Sequence, residues 1–177
     1  MTIQEIQQTY TATIFQVIHD LNIDVVSLGY SEPDYANIIA GIIWKESSGN
    51  PNALGDQSGA GQYCSYGLMQ LNVCAGTPQG LGFSGDPNSL FDPYTNIYYG
   101  TKYFTQLLQQ YGNLQSALSA YNAGSPILAN ISGYVDQIVS QIQTISGKVV
   151  TLAKSNPGVV LAALAGAAFI YSTVKKP

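Results

Sequence analysis

Arginine is absent from this chain, and charge of either sign is scarce: 177 residues carry six lysines, ten carboxylates and one histidine, 9% charged in all. An average soluble domain carries about 25%. With lysine only at positions 45, 102, 148, 154, 175 and 176, no dense cationic face can form. That argues against nucleic acid as a partner, because phosphate neutralisation needs one. Histidine occurs once, at His19, and cysteine twice, at Cys64 and Cys74. Three such groups cannot complete a four-ligand Cys/His zinc site, and neither a metal nor another cofactor is expected. His19 follows Ile18 on an amphipathic stretch and reads as an ordinary structural or surface histidine. Disorder is excluded by what is plentiful, 46% apolar residues and 13 tyrosines. The length fits one domain with an accessory segment.

The few charges are unevenly placed. Residues 1–147 hold all ten acids and two lysines, a net −8; residues 148–177 hold four lysines and no acid, a net +4. Such asymmetry suggests two environments. The start lacks the basic residues and unbroken apolar run of a signal peptide. Thr2 and Glu5 read instead as a capping box, and Ile3, Ile6, Tyr10, Ile14, Val17 and Leu21 recur at helical steps over 3–21. Pro33 suits a first helical position; the helix behind it carries Ile38, Ile39, Ile42, Ile43 and Trp44 and stops at Gly49 and Pro51. From 52 to 92 the chain is irregular, and a stretch of that kind inside a compact domain is usually functional. One short helical turn is expected at 66–71, with no strong strand pattern anywhere. Helices are expected at 96–111, 115–122 and 131–145. Residues 155–174 are uncharged and mainly apolar, flanked by Lys148 and Lys154 before and Lys175 and Lys176 after. About 20 such residues span a bilayer core, so a transmembrane helix and a lipid partner are expected there. The resulting division is 1–32, N-terminal helix and connector; 33–147, the main domain; 148–177, basic-flanked membrane helix.

Only three glutamates occur: Glu5, Glu32 and Glu46. Glu5 belongs to the cap, and Glu32 lies at a helix start, where the dipole favours a carboxylate. Glu46 sits in the last turn of an apolar helix, on the face of Ile39, Ile42 and Ile43. Desolvation and the dipole both disfavour its charged form there, and a carboxyl that keeps its proton near neutral pH is suited to general-acid work.

The residues around Glu46 carry a resemblance. Glu46-Ser47-Ser48-Gly49-Asn50-Pro51 resembles the E-S-x-x-N-P motif of soluble lytic transglycosylases and the related goose-type lysozymes. Gly67-Leu68-Met69-Gln70-Leu71-Asn72 is similar to their G-L-M-Q motif, and Ala120-Tyr121-Asn122-Ala123-Gly124 to A-Y-N-A-G. Asp92-Pro93, Asn96-Ile97, Gly100 and Tyr103-Phe104 resemble the D-P-x-x-N-[IL]-x-x-G-x-x-Y helix. The order also agrees, over about 33–140. Two departures stand out. Asn130 and Ile131 replace the E-T that often precedes Tyr134-Val135, and the loop from Pro51 to Gly67 is rearranged, so that the motif serine is Ser58 or Ser65.

The resemblance implies a mainly α, lysozyme-like transglycosylase domain that acts on peptidoglycan glycan strands without a metal. It implies cleavage of the β-1,4 bond from N-acetylmuramic acid to N-acetylglucosamine, with a 1,6-anhydro product. Glu46 is then the catalytic acid and base. Tyr121 is expected to hydrogen-bond and orient it, with Tyr134 second. Ser65, Met69, Gln70, Asn122 and Tyr134 are expected substrate contacts, and Tyr94, Tyr98 and Tyr99 suit an aromatic saccharide groove. Cys64 and Cys74 enclose the G-L-M-Q turn, and a disulfide between them is expected in a protein whose substrate lies outside the cytoplasm. Two other readings compete: a muramidase using a second carboxylate, Asp56 or Asp86, and a non-catalytic structural module. A membrane tail on a wall-degrading domain suggests a bacteriophage virion protein, held by virion structural proteins or a phage membrane; a bacterial envelope protein is the alternative.

Overall fold

The computed structural model describes residues 1–126 and 133–140. The chain divides into two compact units, Met1–Val139 and Ser140–Pro177, and of the second only Ser140 lies among the described residues.

Helix α1 (Ile3–Asp20) opens on the expected capping box: Thr2 Oγ1 accepts from the Glu5 amide at 3.3 Å and Glu5 Oε2 from the Thr2 amide at 2.7 Å. Its apolar stripe, Ile3, Ile6, Tyr10, Ile14, Val17 and Ile18, is buried against α2 (Glu32–Ser47) and α4 (Pro93–Tyr111). Ser31 caps α2, whose first residue is Glu32, so Pro33 stands one position inside the helix, where its missing amide costs nothing. Ile38, Ile39, Ile42 and Ile43 of α2 and Ile97, Phe104 and Leu108 of α4 are all buried; each such side chain contributes about 1.5–3 kcal/mol by leaving water. Inside that core the Tyr35 and Thr105 hydroxyls share a 2.7 Å hydrogen bond, which satisfies both without solvent. Helix α5 (Leu114–Ala123) packs on α4, ending at Gly124.

The irregular region is where expectation and structure part. It holds a three-stranded antiparallel sheet, β1 (Leu54–Gln57), β2 (Tyr63–Tyr66) and β3 (Leu71–Asn72), with Leu54 opposite Tyr66, Gly55 opposite Ser65, and Tyr66 opposite Leu71. The helical turn expected at 66–71 is instead the tight connection from β2 to β3. Gly67 at φ +74° and Gln70 at φ +47° both adopt left-handed backbone, which a right-handed turn of helix cannot contain. A short helix α3 (Thr77–Gly80) and a 3-10 turn (Pro87–Phe91) lead on to α4.

Residues 133–140 are helical, within the helix expected at 131–145; the remainder of that range lies outside the described residues. So does the span expected at 155–174. Among the described residues no helix is long and apolar enough to cross a membrane.

Candidate active site

Glu46 stands where α2 ends. Ser48 turns the chain at φ +54°, and the Ser47 hydroxyl donates to the Ile43 carbonyl at 3.1 Å and accepts the Gly49 amide at 3.2 Å. Ser47 thus finishes the helix. Glu46 lines a cleft of about 390 Å³ together with Asp56, Ser65 and Asn72 of the sheet, Gln70 of the β2–β3 connection, and Tyr103, Tyr121 and Asn122 of α4 and α5. Removal from water is the main cause that lifts Glu46 from its ordinary value near 4.5 to about 7, and the nearby Asp56 carboxylate pushes the same way. A hydrogen bond from Tyr134 and the charge of Lys45 oppose the rise. Glu46 therefore holds its proton close to neutral pH and can also release it there.

The sheet wall is built to be stiff. Ser65, 2% exposed, donates from Oγ to Asp56 Oδ2 at 2.7 Å. Of the two candidate serines, Ser65 is the one in the cleft; Ser58 lies in the turn from β1 to β2, where its amide meets the Gln62 carbonyl. Gln70 lines the cleft too, yet its amide nitrogen donates to the carbonyls of Gly67 (2.9 Å) and Ala53 (3.2 Å), so it ties β1 to the turn. A disulfide joins Cys64 of β2 to Cys74 just past β3, closing the loop that contains the turn. Asn122 lines the cleft beside Tyr121.

Three expectations need correction. Tyr121 does not hydrogen-bond Glu46. Its hydroxyl donates to the Met69 carbonyl at 2.8 Å, because α5 carries the ring over the Gly67–Gln70 turn. Tyr134 holds the glutamate, donating to Oε1 at 2.6 Å from the 133–140 helix. Burial and the neighbouring Glu46 charge raise both phenols well above their ordinary value, so each keeps its proton. Met69 does not offer its side chain to the cleft: it is fully buried against Gly100 of α4, where a Cβ would run into it. Tyr94, Tyr98 and Tyr99 form no groove with Glu46. Tyr94 donates to Asp20 on α1 at 2.6 Å, and Tyr98 and Tyr99 stack edge-on, with Tyr99 also against Phe83.

Two roles were missed. Asn96 is wholly buried and grips the turn three ways: its Oδ1 accepts the Met69 amide, and its Nδ2 donates to the carbonyls of Tyr66 and Leu90, all at 2.8 Å. Its place on the apolar face of α4 was the available signal, since a polar residue there needs partners. Tyr103 is the second, a cleft residue whose ring meets that of Tyr121 in a tilted contact at 5.3 Å; its place at the end of the D-P-x-x-N-[IL]-x-x-G-x-x-Y pattern was the available signal. Of the two other carboxylates, Asp56 faces the cleft, whereas Asp86 caps the 3-10 turn by accepting the Asn88 amide. His19, away from the cleft, pairs with Glu32 at 2.8 Å across the α1–α2 junction. No group of three or more potential metal ligands occurs among the described residues.

Residues 31–138 match the family described as "Transglycosylase SLT domain". A protein named "Transglycosylase", from Enterobacteria phage PRD1, is 34% identical over 120 residues, which cover 64% of this chain. The chain spans only 41% of that relative's length.

Proposed function

Since the chain belongs to the transglycosylase SLT domain family, we propose that it is a peptidoglycan lytic transglycosylase, cleaving the bond from N-acetylmuramic acid to N-acetylglucosamine. The observation that carries this reading is the placement of Glu46, a largely desolvated carboxyl pushed up to about 7, on a cleft of about 390 Å³. In the first step Glu46 gives its proton to the glycosidic oxygen as the bond to C1 of the muramic sugar breaks. The neighbouring N-acetyl group supports the electron-poor centre, an accepted exception to the two-carboxylate scheme. In the second step the C6 hydroxyl of the same sugar bonds to C1, and its proton returns to Glu46. The tethered hydroxyl competes with water through its high effective molarity. Tyr134 orients Glu46. Tyr121, through Met69, fixes the turn, and Ser65, Gln70 and Asn122 shape the sugar-facing wall.

The test is lysis of purified sacculi by the protein and by Glu46→Gln. The variant is expected to lose at least about a hundredfold in rate, the usual share of a general acid, and the parent's products are expected to carry 1,6-anhydro ends by mass spectrometry. Unchanged lysis by Glu46→Gln would refute the catalytic assignment. One observation favours a second reading, hydrolysis: Asp56 shares the cleft with Glu46 and could hold water. Reducing ends in place of anhydro ends would select it. For location, the membrane span at 155–174, attachment to virion proteins and a role in opening the wall during host penetration belong to the same proposal, supported by the apolar run, its lysine flanks and the phage origin of the relative.

A further inference from the structure

The helix that delivers Tyr134 is held on α2 at three points. A Cβ at Gly41 would stand 2.9 Å from Ile138 Cγ2, so the bare backbone there is the seat of the fully buried Ile138. One turn along α2, Lys45 Nζ donates to Gln137 Oε1 at 2.9 Å. The same ammonium lies 5.8 Å from the centroid of the Tyr134 ring and 5.6 Å from that of Trp44. The third point is the 2.6 Å bond from Tyr134 to Glu46.

Lys45 precedes Glu46 in sequence, and on a helix of 3.6 residues per turn the two side chains diverge by roughly 100°. Glu46 enters the cleft while Lys45 meets the helix carrying Tyr134. An ammonium over an aromatic face is drawn to the ring's negative quadrupole, and its bond to Gln137 anchors it one turn beyond Tyr134. We infer that Lys45 is a positioning residue: held by Gln137 and the Tyr134 ring, it keeps the Tyr134 hydroxyl on Glu46 and so sets the pH range over which Glu46 exchanges its proton. This rests on the acid–base role proposed above for Glu46.

Among the described residues, the titratable groups around Glu46 are Tyr134 from the 133–140 helix, Asp56 from β1, Tyr121 from α5, Tyr103 from α4 across the cleft, and Lys45 beside it on α2. Burial and Asp56 favour the protonated carboxyl; the Tyr134 hydrogen bond and the Lys45 charge favour the carboxylate. Loss of Lys45 acts twice in one direction. The cation goes, and the hydroxyl that stabilises the carboxylate is loosened, so Glu46 holds its proton to higher pH.

Three glutamates make this directly readable. Labelling with δ-13C glutamate gives three carboxyl signals, and Glu46→Gln identifies the one that titrates near pH 7. Lys45→Met is expected to raise that midpoint by about 0.5 pH unit or more, a modest effect because the ammonium is partly exposed. Lys45→Arg is expected to stay close to the parent. In a Tyr134→Phe background, Lys45→Met should move the midpoint by no more than about half as much, since the route through the hydroxyl is gone. An unmoved midpoint in Lys45→Met, or a full shift that survives in Tyr134→Phe, overturns the inference. If Lys45→Met does not fold, Lys45→Gln is read in its place. The titration needs no substrate. A parent without lytic activity would therefore remove the functional reading while leaving the Lys45 result standing, and a normal pH–rate profile in Lys45→Met beside an inactive Glu46→Gln would remove only the inference.

Discussion

The acid–base role proposed for Glu46 carries a cost in stability. Its carboxyl is raised from near 4.5 to about 7 in the folded state, so between those values the folded chain binds more proton than the unfolded chain. Stability then falls as pH rises through that window, because an ionised Glu46 must be kept in a poorly hydrated place. At 1.36 kcal/mol per unit of pKa the cost reaches at most about 3 kcal/mol above pH 7. Glutamine keeps the shape and an acceptor for Tyr134 but carries no charge. Glu46→Gln is therefore expected to unfold like the parent below pH 4 and to be more stable than it at pH 8, by thermal or denaturant unfolding. Equal stabilities at pH 8 would mean that the carboxylate is well solvated and that the raised titration has been misread. A stabilising replacement at Glu46 would fit the trade between stability and activity that the proposed role implies.

Among the elements, the β2–β3 connection matters most to the cleft, because Gly67–Gln70 is gripped from two helices. Asn96 of α4 accepts from the Met69 amide and donates to the carbonyls of Tyr66, at the end of β2, and Leu90, in the 3-10 turn, and the Tyr121 hydroxyl of α5 donates to the Met69 carbonyl. Asn96→Ala would leave three buried polar groups without a partner, at a cost on the order of 3 kcal/mol or more; chemical denaturation measures it, and a loss below about 1 kcal/mol would mean that water replaces the side chain. The helices were legible because α1, α2 and α4 repeat apolar residues at 3.6-residue spacing over several turns, with start signals read at Thr2 with Glu5 and at Pro33; the first turn of α4, from Pro93 to Thr95, was not read, because it precedes the apolar repeat. The sheet was not, because strands of four, four and two residues are too short to show alternation, and β2 buries Cys64, Ser65 and Tyr66 in succession. The G-L-M-Q run has the composition of a turn of helix, and only the left-handed backbone of Gly67 and Gln70 distinguishes it. Glu46 could be singled out from local sequence, since apolar face and helix end are both local properties. Which tyrosine reaches it could not: Tyr121 and Tyr134 come from elements whose approach is fixed by packing, by Gly100 under Met69 and Gly41 under Ile138.

At the scale of the whole molecule, the charge asymmetry separates two tasks. Residues 1–147 carry a net −8, and their two lysines are engaged, Lys45 with Gln137 and Lys102 with the Leu81 carbonyl at 2.9 Å. Such a surface is repelled by anionic lipid and by an anionic wall, so affinity for the proposed glycan substrate would have to come from the cleft rather than from charge. Residues 148–177 carry a net +4 around the uncharged run 155–174, and juxtamembrane lysines contribute about 1 kcal/mol each at an anionic surface. If the run enters a bilayer, the full chain will float with neutral phosphatidylcholine vesicles on a density gradient and resist release by high salt, because apolar insertion is not screened. If the lysines alone bind, flotation will require anionic lipid and salt will abolish it. A protein of residues 1–147 is expected to stay at the bottom of the gradient with either lipid; flotation of that piece would assign membrane affinity to the acidic part and remove the case for a span at 155–174.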